Sequence, residues 1–497
     1  MEDDLGAIGD ESQTLRPDGR VHSASRFTGA WPSGKATGFG PVIPGSNPGA
    51  PANVLTMSES RAKLAAVVMA GGRGTRMRSA TPKHLHPILG RRMVDWIVEA
   101  ARPLGAEPLV VVASPDTADH FAGLTVAVQE RPLGTGDAVR KAQAALAGAD
   151  EVLILSGDTP LLTTELLEDL IATHRSRAAG ATALSFVPTD IRSYGRIVRG
   201  ADGDLESIVE AADATPAQLT IGEANSSIYV FQADLLWPAL DRLQPVNAQG
   251  ELYLTDAVRD LVGAGHRVAV HVADDPGQTE GVNTRVELAA AAAALRDRIN
   301  VAHMLAGVTI VDPLSTWIEP TVTLEADTVV HPFTLLRGAT SVAEGAEIGP
   351  HAVVIDAEIG AAATVGPFCY VRPGTVLGAR SRAGTFVELK NTRLDEGAKV
   401  PHLSYFGDAE VGAGTNVGAG SITANFDHRP GVPKNRTVIG RNARVAVDTI
   451  FVAPVTVGDD VWTAAGTVVS EDVPDNALVG FPPRQTIKEG RGGKRDG

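Results

Sequence analysis

Leu324-Glu325-Ala326-Asp327-Thr328-Val329-Val330-His331-Pro332-Phe333-Thr334-Leu335-Leu336 opens a stretch in which an apolar residue returns at every sixth position: Leu324, Val330, Leu336, Val342, Ile348 and Val354. A slip of one residue resets the frame at Ile359, and the period resumes at Val365, Val371 and Leu377. A third run reads Ile439, Val445, Phe451, Val457, Thr463 and Val469, and Gly or Ala follows many of these positions. A period of six fits neither a helix nor an ordinary strand. It is the signature of a β-helix, in which each turn contributes an inward residue and no turn is stable without its neighbours.

Toward the N-terminus the period changes. Val286–Leu305 is alanine-rich, with Leu288, Leu295, Ile299 and Met304 spaced along one helical face, which predicts a connecting helix packed on a neighbour. Before it, strand-like segments (the wholly apolar Leu64–Met69, then Leu109–Ala113 and Glu151–Leu155) alternate with helix-like segments (Met93–Arg102, Leu161–His174). Runs that are apolar at every residue belong to strands buried on both faces. The alternation predicts a doubly wound α/β sheet whose ligand lies at the carboxyl ends of the strands.

Ala70-Gly71-Gly72-Arg73-Gly74-Thr75-Arg76-Met77 follows the first strand directly. A glycine-rich turn in that place lets backbone N–H groups approach a polyphosphate. It matches neither the phosphate-loop pattern nor the dinucleotide fingerprint, and alone it would read as a tight turn. Lys83, after Pro82, and Arg76 offer fixed positive charge. Asp158 ends a strand; its competing reading is a cap for the following helix, although it lies early for that.

Composition narrows the field. The chain has 497 residues, is 43% hydrophobic and 21% charged, and carries a net charge of −15. Such an acidic chain has no general attraction for nucleic acid or an anionic membrane, so phosphate binding must be local. No apolar run reaches the roughly 18 residues needed to span a bilayer. The single cysteine, Cys369, precludes an internal disulfide and fits a reducing cytosol. Residues 1–56 hold nine Gly and six Pro with no period, which predicts a disordered tail or an annotation artefact, with translation beginning near Met57. Residues 487–497 read as a second flexible tail.

Gly72-x-Gly74-Thr75-Arg76-Met77, Pro82-Lys83, Gly134-Thr135-Gly136 and Gly157-Asp158 together resemble the sugar nucleotidyltransferases, which join a sugar 1-phosphate to a nucleoside triphosphate and release pyrophosphate. Gln129, Tyr194-Gly195-Arg196-Ile197, Ile208-Val209-Glu210, Glu223-Ala224-Asn225 and Glu251-Leu252-Tyr253-Leu254-Thr255-Asp256 narrow the likeness. They resemble the uridylyltransferase half of the bifunctional N-acetylglucosamine-1-phosphate uridyltransferase / glucosamine-1-phosphate acetyltransferase family. The resemblance implies a nucleotidyltransferase domain over 57–285 and a linker helix over 286–306. It implies that UTP and N-acetylglucosamine 1-phosphate meet Ala70, Gly72, Lys83, Gln129, Gly134, Thr135, Gly195, Glu210, Asn225 and Asn283. Lys83 and Arg76 would be catalytic, and Asp158 with Asn283 would hold Mg²⁺. Arg73 and His84 depart from the family pattern in places that leave Lys83 and Asp158 untouched.

The repeat is also interrupted by polar groups that a scaffold does not need: Arg372-Pro373-Gly374, Phe386-Val387-Glu388-Leu389-Lys390, His402-Leu403-Ser404-Tyr405, Asn416 with Gly418-Ala419-Gly420, and Asn425-Phe426-Asp427. These resemble the acetyltransferase half of the same family, implying a left-handed β-helix domain over 307–486 that assembles as a homotrimer. His402 is the candidate general base, since a neutral imidazole can deprotonate a sugar ammonium near neutrality. By resemblance Arg372, Lys390, Tyr405 and Asn416 hold glucosamine 1-phosphate, and Ala419, Asn425, Phe426, Lys434, Val447 and Ala465 meet acetyl-CoA. Phe426 stands where the family usually has tyrosine and Val447 where it has serine. His428–Pro433 lengthens a loop, and Pro482, with Arg484 nearby, takes an arginine's place. The implied protein is cytoplasmic, acts on small molecules with UTP and acetyl-CoA as co-substrates, and supplies a cell-wall precursor. The alternative is a single-activity nucleotidyltransferase with a scaffold β-helix.

Overall fold

The computed structural model describes residues 62–480 except 73, 192 and 430, together with residue 487. The expectations for 1–56, the rest of 487–497, Arg73, Pro482 and Arg484 lie outside the described residues. Leu64–Ala70 sits at the centre of a sheet, paired in parallel with Leu109–Ala113 on one side and Glu151–Ser156 on the other. Thr125–Val128 extends one edge. Beyond Glu151–Ser156 the order is Ala224–Gln232, Ala181–Phe186 and Val268–Val272. Both faces are covered, which explains the continuous apolar runs. Ala65 and Val67 face Val139, Leu236 and Val258, while Ala66 and Val68 face Val94, Ile97 and Leu167.

The sheet departs from an all-parallel order around Ala224–Gln232 and a neighbouring hairpin. Ala224–Gln232 runs antiparallel to both of its main neighbours. It follows the hairpin of Arg196–Arg199 and Leu205–Val209 with only a single helical turn, Pro216–Leu219, between them. A parallel return needs a long crossover, which this segment lacks.

From Thr309 onward, short strands stack into three sheets of ten, nine and eight strands, giving the left-handed parallel β-helix. Val330 pairs with Ile348, and Leu336 with Val354, so one coil takes three hexapeptides. Val342 pairs with Ile359, which places the one-residue slip inside a coil without breaking the stack. The inward residues form one core running from Val308 to Val473. Ile439 stacks on Val411, so the intervening excursion projects as a loop instead of disturbing the register.

The linking helix is Arg285–Leu305. Its first half lies in a cluster with Ile88, Met93 and Leu161, through Leu295 and the partly buried Leu288. Ile299 and Met304 pack on the β-helix core. The face read from the sequence therefore bridges two cores.

Candidate active sites

Three distant segments converge at the carboxyl ends of the central strands. Lys83 is buried, and its ammonium donates to Asp158 and, over 2.7 Å, to Asn283 Oδ1. Arg76 Nη2 reaches the same Asn283 oxygen at 2.9 Å. Burial would raise the Asp158 carboxyl, yet the Lys83 charge and hydrogen bond hold it below the usual range. Asp158 is not a helix cap. Thr163 takes that role, accepting from the Leu166 amide at the start of Thr164–Ser176. Asn283 owes its place to the helix that follows. Glu287 Oε2 accepts from the Asn283 and Thr284 amides, and Thr284 Oγ1 caps Glu287 in return. Gly74 has φ +60 and no room for a Cβ against Lys83, so glycine is required at this position.

A cavity of about 610 Å³ joins Gly72, Arg76, Lys83, Asp158 and Asn283 to Gln129, Gly134 and Thr135. Ala70 ends the strand beneath it, buried. Gln129 Nε2 donates to Gly134 O and to Asp137 Oδ2. A carboxylate accepts only, so the amide orientation is fixed and Oε1 is left to accept. A smaller cavity of about 220 Å³ adjoins, sharing Met69, Thr135 and Ser227. It is lined by Glu210, whose carboxyl burial pushes up. Asn225 and Gly195 lie against Glu210: a Cβ on Gly195 would come within 3.4 Å of Glu210 Oε2 and 3.6 Å of Asn225 Cβ. A larger opening of about 900 Å³ lies at the other ends of the strands, around Lys63, Pro103 and Glu107. It has no converging cation–carboxylate pair of this kind among its described residues, and doubly wound sheets bind at their carboxyl ends.

On the β-helix, two columns of residues emerge from the register. Lys399 pairs with Asn416, Asn416 with Arg444 and Arg444 with Trp462. Three positions further on, in the turns past the last three of these strands, the same register stacks His402, Ala419, Val447 and Ala465 at one corner. The second column lies on the next face, where Lys390 pairs with Gly407 and Arg372 continues the same row below. Lys434 reaches back from the long loop. Its ammonium lies beside that of Lys390 and, by like-charge repulsion, holds the Lys390 ammonium below its usual range, with Arg372 adding to the effect. Arg372 pairs with Glu388 at 2.7 Å. Tyr405 Oη and Asn425 Nδ2 both crowd the space above Gly407. His402 is exposed, and no side chain among the described residues hydrogen-bonds its ring. Asn416 and Phe426 are exposed as well, and neither joins the Arg372–Lys390 row by a side-chain hydrogen bond.

The profile of the MobA-like NTP transferase domain matches residues 66–220. The bifunctional GlmU protein of Streptomyces coelicolor is 47% identical over 452 residues, covering 86% of this chain and 93% of its own length. That of Mycolicibacterium gilvum is 47% identical over 465 residues, with 87% and 92% covered, and that of Mycobacterium tuberculosis is 45% identical over 463 residues, with 87% and 93% covered. The chain belongs to the bifunctional GlmU family.

Within this member of the GlmU family, several residues in the sites had no role assigned from sequence. Ser156 Oγ donates to Asp158 Oδ1 at 2.7 Å. Tyr253 lines the smaller cavity with a buried hydroxyl that has no partner among the described residues, and Thr255 Oγ1 donates to Glu210. Tyr253 and Thr255 fall in a stretch whose pattern was legible while their side-chain directions were not. Among the described residues no helix is long and apolar enough to cross a membrane.

Proposed function

We propose that this chain makes UDP-N-acetylglucosamine by two transfers. Acetyl passes from acetyl-CoA to the amine of glucosamine 1-phosphate, and uridylyl then passes from UTP to the product with release of pyrophosphate. The observation that carries the reading is the convergence of Lys83, Asp158 and Asn283 from segments 75 and 200 residues apart. Residues 57–285 would perform the second transfer and 307–486 the first, with 286–306 between them.

In uridylyl transfer a phosphate oxygen of the sugar phosphate attacks the α-phosphorus of UTP, and the bond to the β-phosphate breaks. Two anions must approach, so positive charge must be fixed where charge accumulates. Lys83 and Arg76 supply it, Lys83 with its position set by two acceptors. Gln129 Oε1 can accept from the N3–H of uracil, which cytosine lacks. Glu210, Asn225, Tyr253 and Thr255 present polar groups to the sugar.

Asp158 and Asn283 oxygens already converge on one cationic point, the Lys83 ammonium, and hard oxygens suit Mg²⁺. Among the described residues no three His, Cys, Asp or Glu side chains cluster for a metal, consistent with a cation held by one carboxylate, one amide oxygen, water and phosphate. When bound, Mg²⁺ neutralises triphosphate charge.

In acetyl transfer the free amine attacks the thioester carbonyl, the C–S bond breaks, and the amine's proton is removed by His402 while the departing thiolate takes one up. The cations Arg372, Lys390 and Lys434 suit the sugar phosphate, and the small side chains of Ala419 and Ala465, in the column above His402, suit the approach of a slender thioester arm. Lys434, assigned to acetyl-CoA from the resemblance, stands close enough to Lys390 to serve either anion.

The same reading makes the chain a cytoplasmic homotrimer. Supporting assembly, Phe333, His351, Phe368 and Phe386 stack at 4.7–5.3 Å along one corner, and the three phenylalanines are exposed. Sedimentation of the full chain should give three times the monomer mass. The purified chain should acetylate glucosamine 1-phosphate and release pyrophosphate from UTP and N-acetylglucosamine 1-phosphate with Mg²⁺. Pyrophosphate release without acetylation would instead support the single-activity enzyme.

A further inference from the structure

His84 follows Lys83, and the sequence treats it as an indifferent departure from the family. The structure gives it a place inside the nucleotide cavity, in contact with the backbone that presents Asp158. Its side chain is buried and lines that cavity together with Gly72, Lys83 and Asp158. Its Nδ1 lies 2.9 Å from the carbonyl oxygen of Gly157. A carbonyl oxygen can only accept, so Nδ1 carries the proton and Nε2 of the neutral ring is a lone pair. That lone pair is buried and has no partner among the described residues. It faces the glycine loop, since a Cβ built on Gly72 would lie 3.6 Å from it. A buried acceptor left unpaired is costly and calls for a physical reason.

The position along the cavity says which ligand group could supply it. Gly71 stands against Gln129 Oε1, at the base-reading end, and Gly74 stands against Lys83, at the phosphate end. Gly72 lies between them, where a nucleoside triphosphate carries its sugar. Nδ1 is committed to the Gly157 carbonyl, so Nε2 is the ring atom left to meet a ligand, as an acceptor. A neutral acceptor suits a hydroxyl and does not suit a phosphate oxygen.

Resting on the uridylyl-transfer reading above, we propose that His84 reads the ribose of the nucleoside triphosphate, its Nε2 accepting a hydrogen bond from the 2′- or 3′-hydroxyl. The test compares kcat/KM of the full chain for UTP, 2′-deoxy-UTP and 3′-deoxy-UTP, in the wild type and in His84→Val. The wild type should use the analogue lacking the contacted hydroxyl about 5–10-fold less well than UTP, the range of one neutral hydrogen bond. The other analogue should match UTP, and the two arms thereby identify the hydroxyl. In His84→Val the ratio of UTP to the disfavoured analogue should fall to near one. Losing the Gly157 bond lowers all three rates together and cancels in that ratio. An unchanged ratio in a folded variant, or equal use of all three nucleotides by the wild type, would overturn the assignment. A wild-type chain that releases no pyrophosphate from any of them would overturn the uridylyl reading itself.

Discussion

Glu210 and Asp158 are both carboxylates withdrawn from water, and their surroundings drive them in opposite directions. Asp158 has a buried ammonium as neighbour and is held below the ordinary range. Burial pushes Glu210 up; among the described residues its carboxylate accepts from the Thr255 hydroxyl, with Asp213 and Asp256 nearby. The linkage signs follow. Asp158, depressed in the fold, contributes stability above its unfolded value, and this is lost as pH falls through the folded value. Glu210, raised in the fold, contributes stability below its unfolded value, which disappears as pH rises through the folded one. Glu210→Gln removes that loss, so its melting temperature should gain on the wild type as pH is taken from about 5 to about 8. The gain is worth about 1.4 kcal/mol for every tenfold difference in proton affinity between the folded and unfolded chains. A gap between the two melting curves that ignores pH would show that Glu210 titrates normally. The same variant should raise KM for the sugar phosphate, the pattern of a site group kept at a cost in stability. Asp158→Ala should remove uridylyl transfer by at least about 10²-fold and leave acetylation within twofold. Parallel loss of both activities in folded protein would refute the division into two sites.

Among the elements, the helix Arg285–Leu305 does more than connect. Its capping box holds Asn283 through the Glu287 carboxylate, so a cap carries a site residue. Thr284→Ala should cost about 1 kcal/mol of stability, the usual value of a lost cap. It should also raise the Mg²⁺ concentration needed for half-maximal pyrophosphate release while acetylation is unchanged. A variant with lower stability but the same Mg²⁺ requirement would separate the cap from the site. The helix itself was legible from Leu288, Leu295, Ile299 and Met304, and the β-helix from its period of six. Both signals arise from burial on a regular lattice, which a sequence displays directly. The antiparallel Ala224–Gln232 was not legible, because strand direction depends on the connection and not on the apolar pattern. Nor was the meeting of Lys434 with Lys390, which depends on how an irregular loop folds back. His84 was hidden for a similar reason. The Gly157 carbonyl and the floor of Gly72 come from other segments, and no local pattern announces that they meet it.

For the molecule as a whole, the proposed reading gives the sheet and the β-helix separate chemistry, with the product of one proposed site the substrate of the other. The column His402, Ala419, Val447, Ala465 is a consequence of helical stacking: each coil sets the next at the same corner, so the proposed base and the proposed acetyl-CoA contacts arise from one register. His402 is exposed and its ring is free of side-chain hydrogen bonds within the described chain, so nothing withdraws it from a substrate amine. If it removes the amine proton, His402→Ala should cut acetyl transfer by about 10²–10⁴-fold, the range of a positioned general base. Uridylyl transfer from ready-made N-acetylglucosamine 1-phosphate should persist, since Lys83, Asp158 and Asn283 are untouched. The residual acetylation should climb with pH more steeply than in the wild type, because free amine then forms without help. Imidazole added to the assay should restore part of the lost rate for the same reason. A variant that acetylates at the wild-type rate near neutral pH would return His402 to a structural role at its corner. It would also leave the cluster of Arg372, Lys390 and Lys434 as a sugar-phosphate binding site in need of another base.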